Sequence, residues 1–193
     1  AAEPLLDDSY TKKLSKTRFH EAQKAYALYH LEINSLAEAQ NWVSAALETA
    51  PSKEEKVRLA YINAQLLAEL GMGYESALAY EKVLELHPNN YDITFSAQIK
   101  RAENFDVYME DIAIIEKELR KMLRDDKNIS YRDQIYYVWA LKELELERFP
   151  EGESLLRRSI SSSVDNDRQK GKSFLRLAGV EFDFRDFVES KEL

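Results

Sequence analysis

Lys53–Asn90 reads KEEKVRLAYINAQLLAELGMGYESALAYEKVLELHPNN, and this stretch decides the fold. Ser52 followed by Glu55 is a capping box, a hydroxyl and a carboxylate placed to satisfy each other's backbone N–H, so a helix starts here. Leu59, Ile62, Leu66, Leu67 and Leu70 recur at three- and four-residue spacing and give that helix an apolar face. Gly71-Met72-Gly73 breaks it. Leu78, Val83, Leu84 and Leu86 supply a comparable face to a second helix, which Pro88 stops. Ala64, Ala77 and Ala79 are small enough for two helix backbones to approach closely. The unit is a helical hairpin with no catalytic group in it.

Working outward, the hairpin recurs. Lys16–Ile33 is helical, with Phe19, Ala22, Tyr26 and Tyr29 on one stripe, and Asn34-Ser35 ends it. Ser35 and Glu38 form a second capping box, and the helix that follows runs to about Ala50, closed by Pro51. Phe95, Ile99 and Ala102 mark the first helix of a third pair. Ile112, Ile115, Leu119, Met122 and Leu123 mark its second, with the turn at Asn104–Asp106. A fourth pair starts near Ser130 and runs to Arg148. Pro150 suits the first turn of its second helix, because proline has no N–H to lose there. Ser161–Asp167 is a polar connector. A fifth first-helix spans Arg168–Phe184, with a turn at Arg185-Asp186-Phe187. The expected organisation is a lead-in segment over 1–15 and one array over 16–193, in pairs of about 16–51, 52–90, 91–127, 128–163 and 164–193.

Composition agrees. Hydrophobic residues are 45% and charged residues 32%, as in a globular domain, while 5 Gly and 4 Pro leave little material for the turns of an all-β fold. No apolar run approaches the roughly 20 residues that span a bilayer. The opening Ala1-Ala2-Glu3-Pro4 reads as a processed or truncated beginning. The 27 basic and 35 acidic groups leave a charge of −8, and the basic stretch Lys117–Lys127 is interrupted by Glu118, Asp125 and Asp126. Nucleic acid is therefore not an expected partner. Zero cysteines exclude disulfides, thiolate catalysis and cysteine metal sites together.

The spacing of small residues tests the register. Ala27, Ala39 and Ala46 in the first pair correspond to Ala64, Ser76 and Val83 in the second. Ala140, Gly152 and Ser159 correspond in the fourth, and Ala178 and Ser190 in the fifth. The steps of 12 and then 7 recur. This pattern resembles the tetratricopeptide repeat, a helix–turn–helix unit of about 34 residues with small residues at fixed positions and a proline near its end. The resemblance implies an all-α right-handed helical solenoid of about four and a half degenerate pairs. Pro51 to Pro88 is a step of 37, the third pair keeps no clear small-residue register, and the aromatic usual in each first helix is replaced by Gln23 and Ala60 but kept as Tyr136 and Phe174.

Two further stretches are more specific. YEKVLELHPNNYDITFSAQIKRA (Tyr80–Ala102) and KMLRDDKNISYRDQIYYVWA (Lys121–Ala140) resemble the tetratricopeptide region of the SprE/PorW lipoproteins of the Bacteroidetes. That resemblance implies an internal fragment of an outer-membrane lipoprotein facing the periplasm, attached to the membrane only through a lipid anchor that this stretch lacks. It implies a part in type IX secretion and gliding motility, with translocon or ring components as protein partners. The alternative is a cytoplasmic tetratricopeptide adaptor that binds a peptide or helix of a regulatory partner.

No residue pattern points to catalysis, a metal or a cofactor. His20, His30 and His87 belong to no metal-ligand spacing, and His20 and His30 are expected on opposed sides of one helix. His87 beside Pro88 suits a helix end. Gly71-Met72-Gly73 lacks the lysine, hydroxyl residue and preceding strand of a phosphate loop. Asp7-Asp8 and Asp125-Asp126 are adjacent carboxylates, which diverge on a helix. Glu143, Glu145 and Glu147 are expected on a solvated face.

The repeat resemblance implies instead a partner-binding groove lined by the first helix of each pair. Carried over by the Ala64 register, its positions are Arg58, Tyr61, Gln65, Ala68 and Glu69. By the Ala140 register they are Gln134, Tyr137, Leu141, Leu144 and Glu145. Tyrosine and arginine there suit an extended peptide or a partner helix, offering rigid area plus hydrogen bonds. Tyr136 and Trp139 are expected between helices, with Tyr137 pointing elsewhere. Tyr61 and Tyr137 are expected to bind without supporting the core. The carboxylate clamp that some such repeats carry is broken, since Lys24 is present but Leu28 stands where its asparagine would be.

Overall fold

The computed structural model of the chain describes residues 15–191, with side-chain environments over 15–182. Among the described residues the fold is all-α, with nine helices packed in consecutive order within each of two units. They are α1 (Lys16–Glu32), α2 (Leu36–Glu48), α3 (Lys53–Glu69), α4 (Gly73–Glu85), α5 (Tyr91–Glu103), α6 (Ile112–Arg124), α7 (Arg132–Glu145), α8 (Phe149–Ser162) and α9 (Asp167–Lys191). A 3-10 turn over Asp126–Tyr131 precedes α7. The chain divides into two compact units, α1–α5 up to Asn104 and α6–α9 from Phe105.

Three hairpins close with one and the same turn. Asn34, Gly71 and Glu147 each take a positive φ, of 57°, 75° and 58°. The N–H after each bonds five residues back: Ser35 to the His30 carbonyl at 2.8 Å, Met72 to Leu67 at 2.9 Å and Arg148 to Glu143 at 2.9 Å. The N–H of the left-handed residue itself bonds three back, to Leu31, Ala68 and Leu144, each at 3.0 Å. Together these bonds make a Schellman motif, which occupies the orphan carbonyls of the first helix and turns the chain at once into the second. The third pair departs from this. Asn104 has an ordinary φ of −93°, and the connection runs over 104–111 before α6 begins.

The same turn explains a capping box that does not form. Ser15 and Ser52 have ψ of 155° and 160°, and their hydroxyls accept from the N–H groups of Arg18 and Glu55. Ser35, Met72 and Arg148 have ψ near 70°, fixed by the tight turn, and none caps through its side chain. The Ser35–Glu38 capping box is therefore corrected. At Ser52 only one half forms, because the Glu55 carboxylate is taken by Lys24.

Glu147 is the one closing residue ill-suited to its backbone, since a left-handed L-residue costs roughly 1–2 kcal/mol. Glu147→Gly is expected to stabilise by about 1 kcal/mol, raising the melting temperature by roughly 2–4 °C. An unchanged or lower melting temperature would place the strain elsewhere.

Small residues carry the packing within each pair. The Ser76 hydroxyl donates to the Ala64 carbonyl at 2.8 Å, and Gly152 sits against Ala140 and Leu144 in the equivalent place. Ala27, Ala39, Ala46, Ala64, Ser76, Val83, Ala140 and Ser159 are all buried. The fifth pair breaks the rule. Ala178 is exposed, Ser173, Leu177 and Val180 make the buried stripe, and Ser190 lies outside the described side chains. The turn expected at Arg185-Asp186-Phe187 is not there, because α9 runs through it to Lys191. No Gly or Pro interrupts that stretch, and two polar residues alone do not end a helix.

The core follows from helices that bury more than one face. In α3, Leu59 and Leu66 join Ala27, Ala39, Val43 and Ala46, while Val57, Ala60, Ala64 and Leu67 join Ala79, Tyr80, Val83 and Ala97. In the second unit Ala140, Leu144, Leu155, Leu156, Leu177 and Val180 form one cluster across α7, α8 and α9. Two stripes shift from expectation. Along α1 the buried side is His20, Gln23, Ala27 and His30, so the two histidines share one face, and Phe19, Ala22 and Tyr26 only flank it. On α4 the buried side is Ser76, Ala77, Ala79, Tyr80 and Val83, and Leu78 stays 40% exposed.

Candidate functional site

The predicted groove residues of α3 fall on one face. Arg58, Gln65 and Glu69 are exposed, and Tyr61 and Ala68 are half-buried at its edge. Positions three, seven and eleven residues apart superpose on a helix, which is why these four long side chains align. Tyr61 does more than present a surface. Its ring meets Tyr80 edge-on, with centroids 5.4 Å apart at 75°, and it packs on the core around Ala60 and Ala64. The expectation that Tyr61 binds without supporting the core is corrected on this contact.

The α7 candidates separate. Glu145 is exposed and Gln134 half-buried. Leu144 is buried in the α7–α9 cluster and is no groove residue, and Tyr137 packs on that same cluster beside Tyr136 and Trp139 instead of pointing elsewhere. Glu145 is held by Lys142, whose ammonium lies 2.9 Å from a Glu145 carboxylate oxygen and donates to the Phe105 carbonyl at 2.9 Å. Glu143 is corrected too. It is 4% exposed, accepts from Trp139 Nε1 at 2.8 Å and pairs with Arg148 at 3.2 Å. Its negative charge and the burial around it push the carboxyl of nearby Glu116 above its ordinary value, burial being the larger cause. Arg120 answers that charge, 2.8 Å from Glu116 and stacked 5.0 Å over the Trp139 ring. This cluster ties α6 to α7.

In the first unit α1 and α3 are joined side by side. Lys24 Nζ donates to Glu55 Oε1 at 2.9 Å and lies 3.0 Å from Glu21. Beneath the bridge, His20 Nδ1 meets the Thr49 hydroxyl at 3.0 Å, and that hydroxyl donates to Gln23 at 2.6 Å. The Lys24 ammonium holds the Glu55 carboxyl below its ordinary value of 4.5, against the burial that would raise it. The Glu55 and Glu21 carboxylates raise Lys24 above 10.5. The bridge thus adds stability above the ordinary carboxyl value and loses it as pH falls through the lowered one. At the alkaline end it is complete below 10.5 and lost as Lys24 deprotonates. Glu55→Gln is expected to cost about 0.2–1 kcal/mol at neutral pH, for a partly exposed pair, and nothing well below pH 4.5. Melting temperatures of the two proteins should converge on acidification; a constant gap would show that the bridge is not the cause.

Along α1, Glu21, Lys24, Leu28 and Glu32 stand 37 residues before Arg58, Tyr61, Gln65 and Glu69, one repeat step away. Leu28 is 58% exposed. The broken clamp therefore leaves an apolar side chain on this face where a polar one would have held a carboxylate.

Sequence reasoning missed a second feature. A cavity of about 320 Å³ opens between α2, α3 and α4, floored by Ala60, Asn63 and Leu67 and rimmed by Leu47, Leu78 and Lys82. Its floor lies on the opposite side of α3 from Arg58 and Gln65. The signal was Leu78, whose neighbours Ala77 and Ala79 take the buried positions and leave it on the rim.

Among the described residues no three His, Asp or Glu side chains gather as metal ligands, and no helix is long and apolar enough to cross a membrane. The chain matches no protein-family model, and no curated protein matches it.

Proposed function

We propose that this chain is a non-catalytic protein-binding scaffold that grips a partner segment on the shared face of α1 and α3. One observation carries this: the Lys24–Glu55 bridge sets two first-helices side by side, and between them they present exposed Leu28, Arg58 and Gln65 with the half-buried ring of Tyr61. A tyrosine ring and a guanidinium on a rigid face are the groups that carry binding energy when a partner excludes water from them, with an apolar neighbour such as Leu28 helping to exclude it. A helix or extended peptide fits such a face. The likeness of Tyr80–Ala102 and Lys121–Ala140 to the SprE/PorW lipoproteins supports the finer proposal. The partners are then translocon or ring components of type IX secretion, met at the periplasmic face of the outer membrane.

The test uses the chain as bait on detergent-solubilised cell envelope and, separately, on the cytosolic fraction, followed by titration of the recovered protein. Leu28→Asp with Arg58→Glu is expected to weaken that partner about tenfold or more, with the melting temperature unchanged because both positions are exposed. Binding lost instead in Leu78→Arg would move the site to the cavity. Only a cytosolic partner would reject the envelope assignment while keeping the scaffold.

A further inference from the structure

The cavity between α2, α3 and α4 has a counterpart in the second unit, and there large side chains take its place. Ala64 meets Ser76 as Ala140 meets Gly152, and each member of the later pair follows the earlier by 76 residues. At that step Ala60, Asn63 and Ala79, which line the 320 Å³ cavity, answer to Tyr136, Trp139 and Leu155. In the second unit Leu155 is buried, and the two rings pack on the α7–α9 cluster. Leu78 answers to Ser154, but it stands 40% exposed on the rim and lines the hole without filling it. The first unit is thus short of two aromatic rings and one branched side chain at a single place, and the space stays open.

A second cavity, of about 390 Å³, adjoins the first. The two share Leu47, Glu48, Ala60 and Lys82, and the second continues past Lys56 to Leu86. Together they make one groove along α3 from Lys56 to Leu67, with Ala60 where they meet. At 1.5 Å per residue its length is about 16 Å, the reach of roughly five extended residues. α2 walls one side and α4 the other, so the groove lies within the first unit and not at an end of the chain. We infer that it takes a short segment of a partner protein with a tyrosine or tryptophan at its centre. The aromatic side chain sits over Ala60, where the second unit has rings of its own, and the rest of the segment runs out along the groove in both directions. Leu47, Leu67 and Ala79 give the ring apolar contact, and a ring buries more area than any aliphatic side chain could in the same hole. The site is on the side of α3 away from Arg58 and Gln65 and does not rest on the α1–α3 face.

The probe is the peptide Gly-Ser-Trp-Ser-Gly with both ends blocked, titrated into the isotope-labelled full chain and followed by nuclear magnetic resonance. Amide shifts at Asn63 and Ala79 are expected to saturate with a dissociation constant on the order of 1 mM. The same peptide with alanine in place of tryptophan should move neither. Ala60→Tyr gives the first unit the ring that its counterpart carries. It should fill the groove, raise the melting temperature and abolish the shifts. Asn63→Trp should abolish them too, from a half-buried position. No saturating shifts, equal shifts with the alanine peptide, or shifts that persist in either folded variant would each overturn the proposal. A lower melting temperature in both variants would show that the groove has no room for a ring, and would overturn it as well. Loss of an envelope partner on Leu28→Asp with Arg58→Glu bears on the other face alone.

Discussion

Gly152→Val is expected to lower stability by about 1–3 kcal/mol, and Gly152→Ala to lower it too, although alanine in place of a helical glycine ordinarily gains about 0.8–1.0 kcal/mol. The geometry decides the sign. A Cβ on Gly152 would stand 2.5 Å from Leu144 Cδ2 and 2.6 Å from its Cγ, with the Ala140 carbonyl 3.5 Å away. Cγ is the branch point of the side chain, so rotating a methyl does not relieve the contact. Leu144 is itself buried in the cluster of Ala140, Leu155, Leu156, Leu177 and Val180, so its displacement disturbs a close-packed core. The check is a double-mutant cycle in urea. Leu144→Ala should absorb most of the Gly152→Ala penalty, giving a coupling of about 1 kcal/mol or more. A Gly152→Ala protein more stable than the parent would show that α7 and α8 can part at no cost.

Tyr80→Ala is expected to be worse, at about 3–5 kcal/mol. Tyr80 is 1% exposed, and burial pushes its phenol well above the ordinary range, so it stays neutral. Its neighbours are what set the cost. Its cluster includes Ala60, Ala64, Ala79 and Ala97, which have no side chain to swing into the hole, beside Val57, Leu67 and Val83. Against a typical domain stability of 5–15 kcal/mol the loss is a large fraction. Urea midpoints should fall with the slope unchanged. Tyr61→Ala should cost less and should combine with Tyr80→Ala non-additively, since the edge-on pair is worth about 0.5–1.5 kcal/mol beyond its area. Full additivity would mean that the two rings do not rely on each other.

Helix existence was legible wherever period and breaker agreed, as in Lys53–Asn90. The close-approach register at Ala64 and Ser76 was legible because only side-chain size decides it. Three things were not. A left-handed backbone can be read at Gly71 and suspected at Asn34, but Glu147 shows nothing in its residue type. The Glu143–Glu147 run reads as solvated, yet the carboxylate of Glu143 is drawn inside by Trp139 and Arg148, which come from a turn before it and a turn after it. On the candidate surface the repeat resemblance, carried over by the Ala64 register, picked the positions Arg58, Gln65 and Glu69, which are exposed. It could not tell that the rings at Tyr61 and Tyr137 are long enough to leave that face and rest on the neighbouring core.

The three closing turns have a consequence for substitution. What they share is a sign of φ and two backbone hydrogen bonds, supplied by Asn34, Gly71 and Glu147 in turn. Main-chain donors and acceptors are the same in every residue but proline, so these turns tolerate different side chains, at the cost in strain that a left-handed L-residue carries. One turn geometry can therefore stand in three places with three different residues at its left-handed position.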